Sequence, residues 1–240
     1  MEWDKLWALN KQLLDPIVPR YMAVDGKHHV TLTMAGAPKA AAIERELHPK
    51  NPSVGKVPQI LTGQVLLELE DAEKIECGEE VTLMRWGNAI VDKVLKEDDV
   101  VVGLEGRLHL EGDVKKTKKK LHWLPLTNAA TVEGHDAKLT TIVVRELDHL
   151  ITKKKLEESD DFESVVNHHT IYDTECLADP AVKQLKEGDC IQLERRGYFR
   201  VDVPHSAGAA MVMIAIPDGR TKSMSGLSTK VDLKTQAKGR

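Results

Sequence analysis

Cys190-Ile-Gln-Leu-Glu-Arg-Arg-Gly-Tyr-Phe-Arg-Val-Asp202, followed shortly by Ile216-Pro-Asp-Gly219, is the stretch on which the reading of this chain turns. Ile191 and Leu193 alternate with Gln192 and Glu194, the period-two pattern of a half-buried strand. Two arginines, a glycine and two aromatics then arrive together. Guanidinium groups and ring faces in one place suit unpaired RNA, which needs charge neutralisation and surfaces for base stacking. The same residues also fit an edge strand with solvated charges and two core aromatics. If extended, Arg195 and Arg196 project to opposite faces, so that one can face RNA while the other pairs with an acid.

Outward from this stretch the chain reads as mainly β. Alternating runs lie at Val30 to Met34, Val65 to Leu69, Val81 to Trp86, Ala89 to Leu95, Val100 to Leu104, Leu121 to Leu124, Leu139 to Val144 and Met211 to Ile216. Glycine, asparagine and aspartate separate many of them, as in a sandwich or barrel. One helix precedes them: Trp3, Leu6, Trp7, Leu13, Leu14 and Ile17 are spaced for one helical face, and Asp15-Pro16 ends it. That face is expected to pack against a neighbouring domain. Pro38 to His48, rich in alanine, is the best internal helix candidate, and Arg145 to Glu158 a weaker one. No self-similarity marks an internal repeat.

With 240 residues the chain can bury a substantial core in one domain or two. A formal net charge of -4 and a pI near 6.2 argue against indiscriminate coating of nucleic acid, so RNA contact has to come from local basic clusters. Three scattered cysteines, Cys77, Cys176 and Cys190, suggest neither a disulfide framework nor a zinc knuckle, and point to a reducing compartment. The start Met1-Glu-Trp-Asp4 is unlike a signal peptide, and no run is apolar for the length of a membrane span. Phosphate-binding glycine loops are absent, and the adjacent pairs His28-His29 and His168-His169 would point oppositely on a strand, which disfavours zinc. Nothing recommends a Ser-His-Asp triad.

Several stretches together carry a resemblance. The run Cys190 to Asp202 resembles the closing signature of the anticodon-binding barrels of the class I glutamyl- and glutaminyl-tRNA synthetases. Trp7-Ala-Leu-Asn-Lys-Gln-Leu-Leu-Asp-Pro-Ile-Val-Pro-Arg-Tyr-Met-Ala-Val24 resembles the passage from helical stem to barrel. His48-Pro-Lys-Asn-Pro-Ser-Val-Gly55, Leu83-Met-Arg-Trp-Gly-Asn-Ala-Ile90 and Lys115-Lys-Thr-Lys-Lys-Lys-Leu-His-Trp-Leu124 follow in the family's order. The match covers almost the whole chain and is closer to the archaeal and eukaryotic glutamyl enzymes.

The resemblance implies two β-barrels with a short N-terminal helical stem. Residues 1–21 would be the stem remnant, 22–62 plus 164–228 a discontinuous proximal barrel, 63–163 an inserted distal barrel, and 229–240 a tail. It implies anticodon recognition and tRNA positioning, with no catalytic residue, metal or cofactor in this portion. The family's two nucleotide-site motifs are absent; Thr221-Lys-Ser-Met-Ser-Gly226 shares residue types with one but lies at the wrong end. The complete enzyme would use ATP and magnesium to charge tRNA with glutamate. Expected partners are glutamate tRNAs, the catalytic domains of the same enzyme and a multi-synthetase assembly, in the cytoplasm and away from membranes. A glutaminyl relative, or a docking module without anticodon specificity, are the alternatives.

The binding residues follow partly from this resemblance. Arg195 matches the family arginine that reads an anticodon base, and its planar fork suits a base edge or phosphate better than lysine would. Arg20 matches the arginine of a Pro-Arg-x-Met-Ala-Val pattern, although Tyr21 stands where the glutaminyl enzymes tend to have alanine. Arg196 adds a second guanidinium. Lys115, Lys116, Lys118, Lys119 and Lys120 form a point-charge patch for phosphates or a solvated hairpin loop. Lys74 is a weaker candidate, as are Lys50 and Lys56. Trp123 and Trp86 are expected to pack in a core.

Overall fold

The computed structural model describes residues 4–153, 156–206 and 208–218. The N-terminal helix α1 spans Asp4–Leu14 and stops just before Asp15-Pro16, where proline disfavours helix in the preceding residue. Its outer face leaves Leu6, Leu9 and Leu13 exposed. Trp3, Lys154, Lys155, the string Thr221 to Gly226 and the expected tail at 229–240 lie outside the described residues.

The first half then runs β1 (Arg20–Tyr21), β2 (Ala23–Asp25), β3 (His29–Ala35), β4 (Ala40–Glu46), β5 (Lys56–Thr62), β6 (Gln64–Glu68), a helical turn α2 (Leu69–Ala72), β7 (Glu80–Leu83), β8 (Gly87–Glu97) and β9 (Val100–His109). The second half runs β10 (Lys120–Leu121), β11 (Leu124–Pro125), β12 (Thr131–Val132), β13 (His135–Asp136), β14 (Thr140–Leu147), a turn α3 (Phe162–Val165), β15 (Ile171–Ala178), β16 (Cys190–Leu193), β17 (Gly197–Val203) and β18 (Met211–Ile216). Two curled seven-stranded sheets result. Their orders are β10-β7-β8-β9-β3-β6-β11 and β1-β16-β17-β18-β14-β15-β2, with β4-β5 and β12-β13 as separate ribbons. The protein is therefore mainly β, as its alternating runs indicate.

Position by position the two sheets share one topology. The parallel pair β3 with β9 corresponds to β14 with β18, and the parallel edge β10 on β7 to β1 on β16. The antiparallel edges β11 on β6 and β2 on β15 also correspond. Even the irregularity recurs: the β8-β9 register shifts between Val91 and Lys93, and the β17-β18 register between Val201 and Val203. The chain thus contains an internal repeat that its sequence hides. Moreover, β1 and β2 precede the first repeat but edge the second sheet, whereas β10 and β11 precede the second repeat but edge the first. Each repeat lends its opening strands to the other.

Packing fastens this exchange. The first core gathers Leu32, Leu67, Leu83, Leu104 and Trp123, while the second gathers Ile142, Ile191, Leu193, Met211 and Met213. In Tyr21-Met-Ala-Val24, Met22 and Val24 enter the first core and Tyr21 and Ala23 the second, so one extended segment serves both. Trp123 is buried against Trp86, ring centroids 5.0 Å apart, and its indole N–H donates to the Met84 carbonyl at 2.9 Å.

Three expectations are corrected here. Ala40 to Glu46 is a strand, because seven-position pairing with β5 outweighs alanine's helix propensity. Arg145 lies in β14, whose ladder with β15 takes up the start of the second helix candidate, and no helix occupies its described remainder. Boundaries at Gly63 and Glu163 do not follow the sheets, since β3 joins the sheet of β6 to β9 and β14 that of β15 to β18. The reason is register: parallel pairing of β3 on β9 and β14 on β18 closes each sheet across those cuts.

Candidate nucleic-acid interface

The decisive stretch is a hairpin rather than a continuous strand. Leu193 pairs with Gly197, and the turn between them closes through the Arg196 N–H on the Leu193 carbonyl at 3.0 Å. Arg195 sits at φ 66° and Gly197 at φ 137°. The first is a left-handed conformation uncommon for a bulky side chain, and the second is open to glycine almost alone. The two arginines therefore do not project to opposite faces of an extended strand. Both reach toward β6 and α2 in the other sheet.

Arg195 meets Asp71 end-on: Nη1 donates to Oδ2 and Nη2 to Oδ1, the latter at 2.7 Å. Its Nη1 also lies 3.2 Å from His122 Nδ1. Arg196 clasps Glu68 through Nε at 3.2 Å and Nη2 at 2.8 Å, and its Nη1 lies 3.2 Å from the Cys176 sulfur. The corresponding turn of the first repeat reciprocates. There Leu83 pairs with Gly87, Arg85 takes φ 66°, and its Nη2 donates to Glu194 Oε1 at 2.6 Å. The two turns are thus latched across the junction of the repeats.

Glu68 is the hub of the latch. It accepts the Asp25 N–H as well as Arg196, and lies 3.3 Å from His122 Nε2. Because Arg195 can only donate, Nδ1 of His122 accepts and Nε2 carries the hydrogen offered to Glu68. Burial pushes the Glu68 carboxyl up, but His122 and Arg196 outweigh it and hold it at about 2. Burial also pushes the Cys176 thiol up to about 11, which removes it from thiolate chemistry at neutral pH.

Arg20 belongs to a second cluster. It pairs in register with Gln192, which pairs on its other side with Tyr198, so the three share one face across β1, β16 and β17. Arg20 Nη2 donates to Asp15 Oδ1 at 3.1 Å and lies 3.2 Å from His48 Nε2; the Tyr198 hydroxyl donates to Asp15 Oδ1 at 2.7 Å. That hydroxyl bond is the main reason the Asp15 carboxyl sits below its ordinary value, while burial and then Asp15 push the Tyr198 phenol up to about 12. Arg20 Nε and Gln192 Oε1 are buried without a hydrogen-bond partner among the described residues. A buried donor and a buried acceptor left unpaired on one face carry an unrelieved desolvation cost.

The ribbon β4-β5 holds this cluster. Leu47 accepts the Arg20 N–H at 2.8 Å, and Asn51 Nδ2 donates to the Pro16 carbonyl at 2.8 Å. His48 Nε2 lies 2.7 Å from the Asp15 carbonyl oxygen. Arg45 donates through Nη1 to the Arg20 carbonyl at 3.0 Å and through Nη2 to Asp179 at 2.8 Å, with its own side chain buried. The stretch His48-Pro-Lys-Asn-Pro52 is accordingly a clamp on the junction between stem and sheet.

Of the lysines, Lys115, Lys116 and Lys118 are exposed. Lys119 is committed to Glu79 at 2.6 Å and Lys120 to the carbonyl and hydroxyl of Thr117. Lys74 pairs with Glu70 at 2.7 Å. The structure therefore brings together Arg195 and Arg196 in one latch, places Arg20 on the neighbouring strand, and leaves the lysine loop apart. Sequence reasoning missed Asp71, Glu68, His122, Asp15 and Gln192, whose roles arise from pairing across the chain; Asp15, His122 and Gln192 lie inside quoted stretches, but no local signal marks their partners. Among the described residues no cluster of metal-ligating side chains forms, and no helix is long and apolar enough to cross a membrane.

Comparison with known proteins assigns the chain to a family. Two family models, both described as the anticodon-binding domain of class I tRNA synthetases (E and Q), match residues 18–109 and 120–202. The chain belongs to this family of anticodon-binding domains. Each match starts near the short strands that open a repeat. The cytoplasmic glutamate--tRNA ligase of Arabidopsis thaliana is 44% identical over 223 residues, covering 92% of this chain and 30% of the relative. That of Saccharomyces cerevisiae is 40% identical over 227 residues, covering 94% and 30%. The bifunctional glutamate/proline--tRNA ligase of Cricetulus griseus is 38% identical, covering 98% and 16%. The chain thus spans about 30% of the length of the first curated relatives it matches.

Proposed function

We propose that this chain recognises the anticodon of glutamate tRNAs and positions them for a glutamate--tRNA ligase of the cytoplasm. In this reading Arg195 reads a base and Arg20, beside Gln192, engages a second. Lys115, Lys116 and Lys118 hold phosphates, with Lys119, Lys120 and Lys74 contributing if their present partners yield to RNA. Arg196 supports the site from within its pair to Glu68. The sheet built from 29–125 is then the distal barrel, and the sheet that combines 20–25 with 140–216 the proximal one. The parent enzyme would supply ATP, magnesium and the charging reaction, while this part has none of its own. Relatives that join glutamate and proline activities in one polypeptide favour a module carried within larger assemblies.

The observation that carries the reading is Arg195 itself, at a left-handed φ on a glycine-closed turn, its side chain 38% exposed and its guanidinium oriented from the opposite sheet. Strained residues cluster at binding sites, where the surrounding structure holds them. The test is binding of the 240-residue chain to glutamate tRNA transcripts with native and substituted anticodons, at fixed salt, with a glutamine tRNA alongside. Anticodon substitution and Arg195→Ala should each weaken binding by about tenfold or more, and not additively. Affinity that ignores the anticodon would make this a backbone-docking module instead.

A further inference from the structure

Arg195 has a partner that neither the sequence motif nor the family match assigns. A guanidinium carries five N–H donors in a fixed plane. Asp71 takes the end formed by Nη1 and Nη2, and the second Nη1 hydrogen faces His122 Nδ1. What remains is the side edge, made of Nε–H and the outer Nη2–H, a parallel fork of the kind that bonds two acceptors at once. The carboxylate doing this is mostly enclosed: the Asp71 side chain is 14% exposed, against 38% for Arg195. It stands on α2, a turn fixed by the Glu73 N–H on the Leu69 carbonyl at 2.9 Å and the Ile75 N–H on the Ala72 carbonyl at 3.1 Å, with Ala72 and Ile75 buried. The turn carrying Arg195 is meanwhile tied from the same sheet through Arg85 on Glu194.

We propose that Asp71 is a positioning residue for anticodon discrimination: the first sheet holds the Arg195 guanidinium plane so that its Nε/Nη2 edge faces the RNA before the RNA arrives. The inference rests on the reading of Arg195 as a base contact. An arginine free to rotate would present the same fork in many directions and lose side-chain entropy on binding, whereas one pinned by a carboxylate has already lost it. Competition is the opposite possibility. If Asp71 merely occupied the cation, its removal would strengthen RNA binding.

The experiment compares affinities of the 240-residue chain for two glutamate tRNA transcripts, one native and one with a substituted anticodon, for wild type, Asp71→Asn, Arg195→Ala and the double variant. The ratio of the two affinities is taken within each preparation, so a reduced folded fraction cancels, and Asp71→Glu serves as a second variant that keeps the charge but displaces it. Arg195→Ala should lower the discrimination ratio by about tenfold, and Asp71→Asn by about threefold or more in the same direction, with no further loss in the double variant. Asp71→Glu should fall between Asp71→Asn and wild type. If Arg195→Ala lowers the ratio while Asp71→Asn leaves it unchanged or raises affinity for both transcripts, positioning is wrong and the base contact stands. If Arg195→Ala leaves the ratio unchanged, both fall.

Discussion

At the scale of single residues, Glu68 shows how a buried carboxylate can be both expensive and indispensable. It gives up water yet stays ionised, because Arg196, His122 and the Asp25 N–H supply its hydrogen bonds. Its carboxyl lies below the unfolded value, so the stability it contributes is fully present above about pH 4.5 and is lost as pH falls toward about 2. Replacing it with glutamine should leave Arg196 poorly compensated and cost about 3 kcal/mol at neutral pH, measured by denaturant unfolding. The wild-type and Glu68→Gln stabilities should converge as pH is lowered from 4.5 toward 2. Parallel curves through that window would mean that the carboxylate is not the group being titrated.

Among elements, the glycine-closed hairpins carry Arg85 and Arg195 while the β4-β5 ribbon holds Arg20 through Arg45, and they differ in how far the sequence exposes them. Gly197 at φ 137° should not tolerate a side chain: Gly197→Ala is expected to cost about 1 to 3 kcal/mol and to shift the amide resonances of Arg195 and Arg196. The quoted stretch announces this hairpin, because alternation before Arg195 and a glycine after it are local signals. The ribbon is another matter. Ala40-Ala-Ala-Ile43 favours helix on its own, and only the distant Lys56 to Thr62 makes it a strand. The Arg45 pair with Asp179 spans most of the chain and leaves no local trace. Arg45→Met should cost about 3 kcal/mol by removing the cation paired with Asp179, which keeps only a neutral N–H donor from Ala181, and hydrogen exchange at the Arg20 amide should quicken as the clamp loosens. Sequence thus singled out Arg195 and Arg20 as candidates but not their partners Asp71 and Asp15, since a carboxylate's role as partner depends on which strands meet.

On the scale of the whole molecule, the exchange of opening strands explains why the repeat escaped notice and how the two sheets depend on one another. Identities between the repeats are confined to turn glycines and a few paired positions, such as Gly78 with Gly188, Leu83 with Leu193, Arg85 with Arg195 and Gly87 with Gly197. Fragments cut by sequence repeat and by sheet should therefore behave oppositely. Residues 18–109 keep β1 and β2, which edge the other sheet, but lose β10, β11 and the buried Trp123 that closes the first core. They expose the edges of β7 and β6, both of which are ready to pair with other chains. Residues 26–126 keep all seven strands of the first sheet and lose Met22 and Val24 from its buried core, with Leu139 and Leu177 that pack against it. The second fragment should show dispersed amide resonances and a cooperative thermal transition, and the first should aggregate or remain unfolded. Were residues 18–109 to fold alone and 26–126 to fail, the strands would belong to their own repeats, and the reciprocal exchange that places Arg20 beside Gln192 would have to be abandoned.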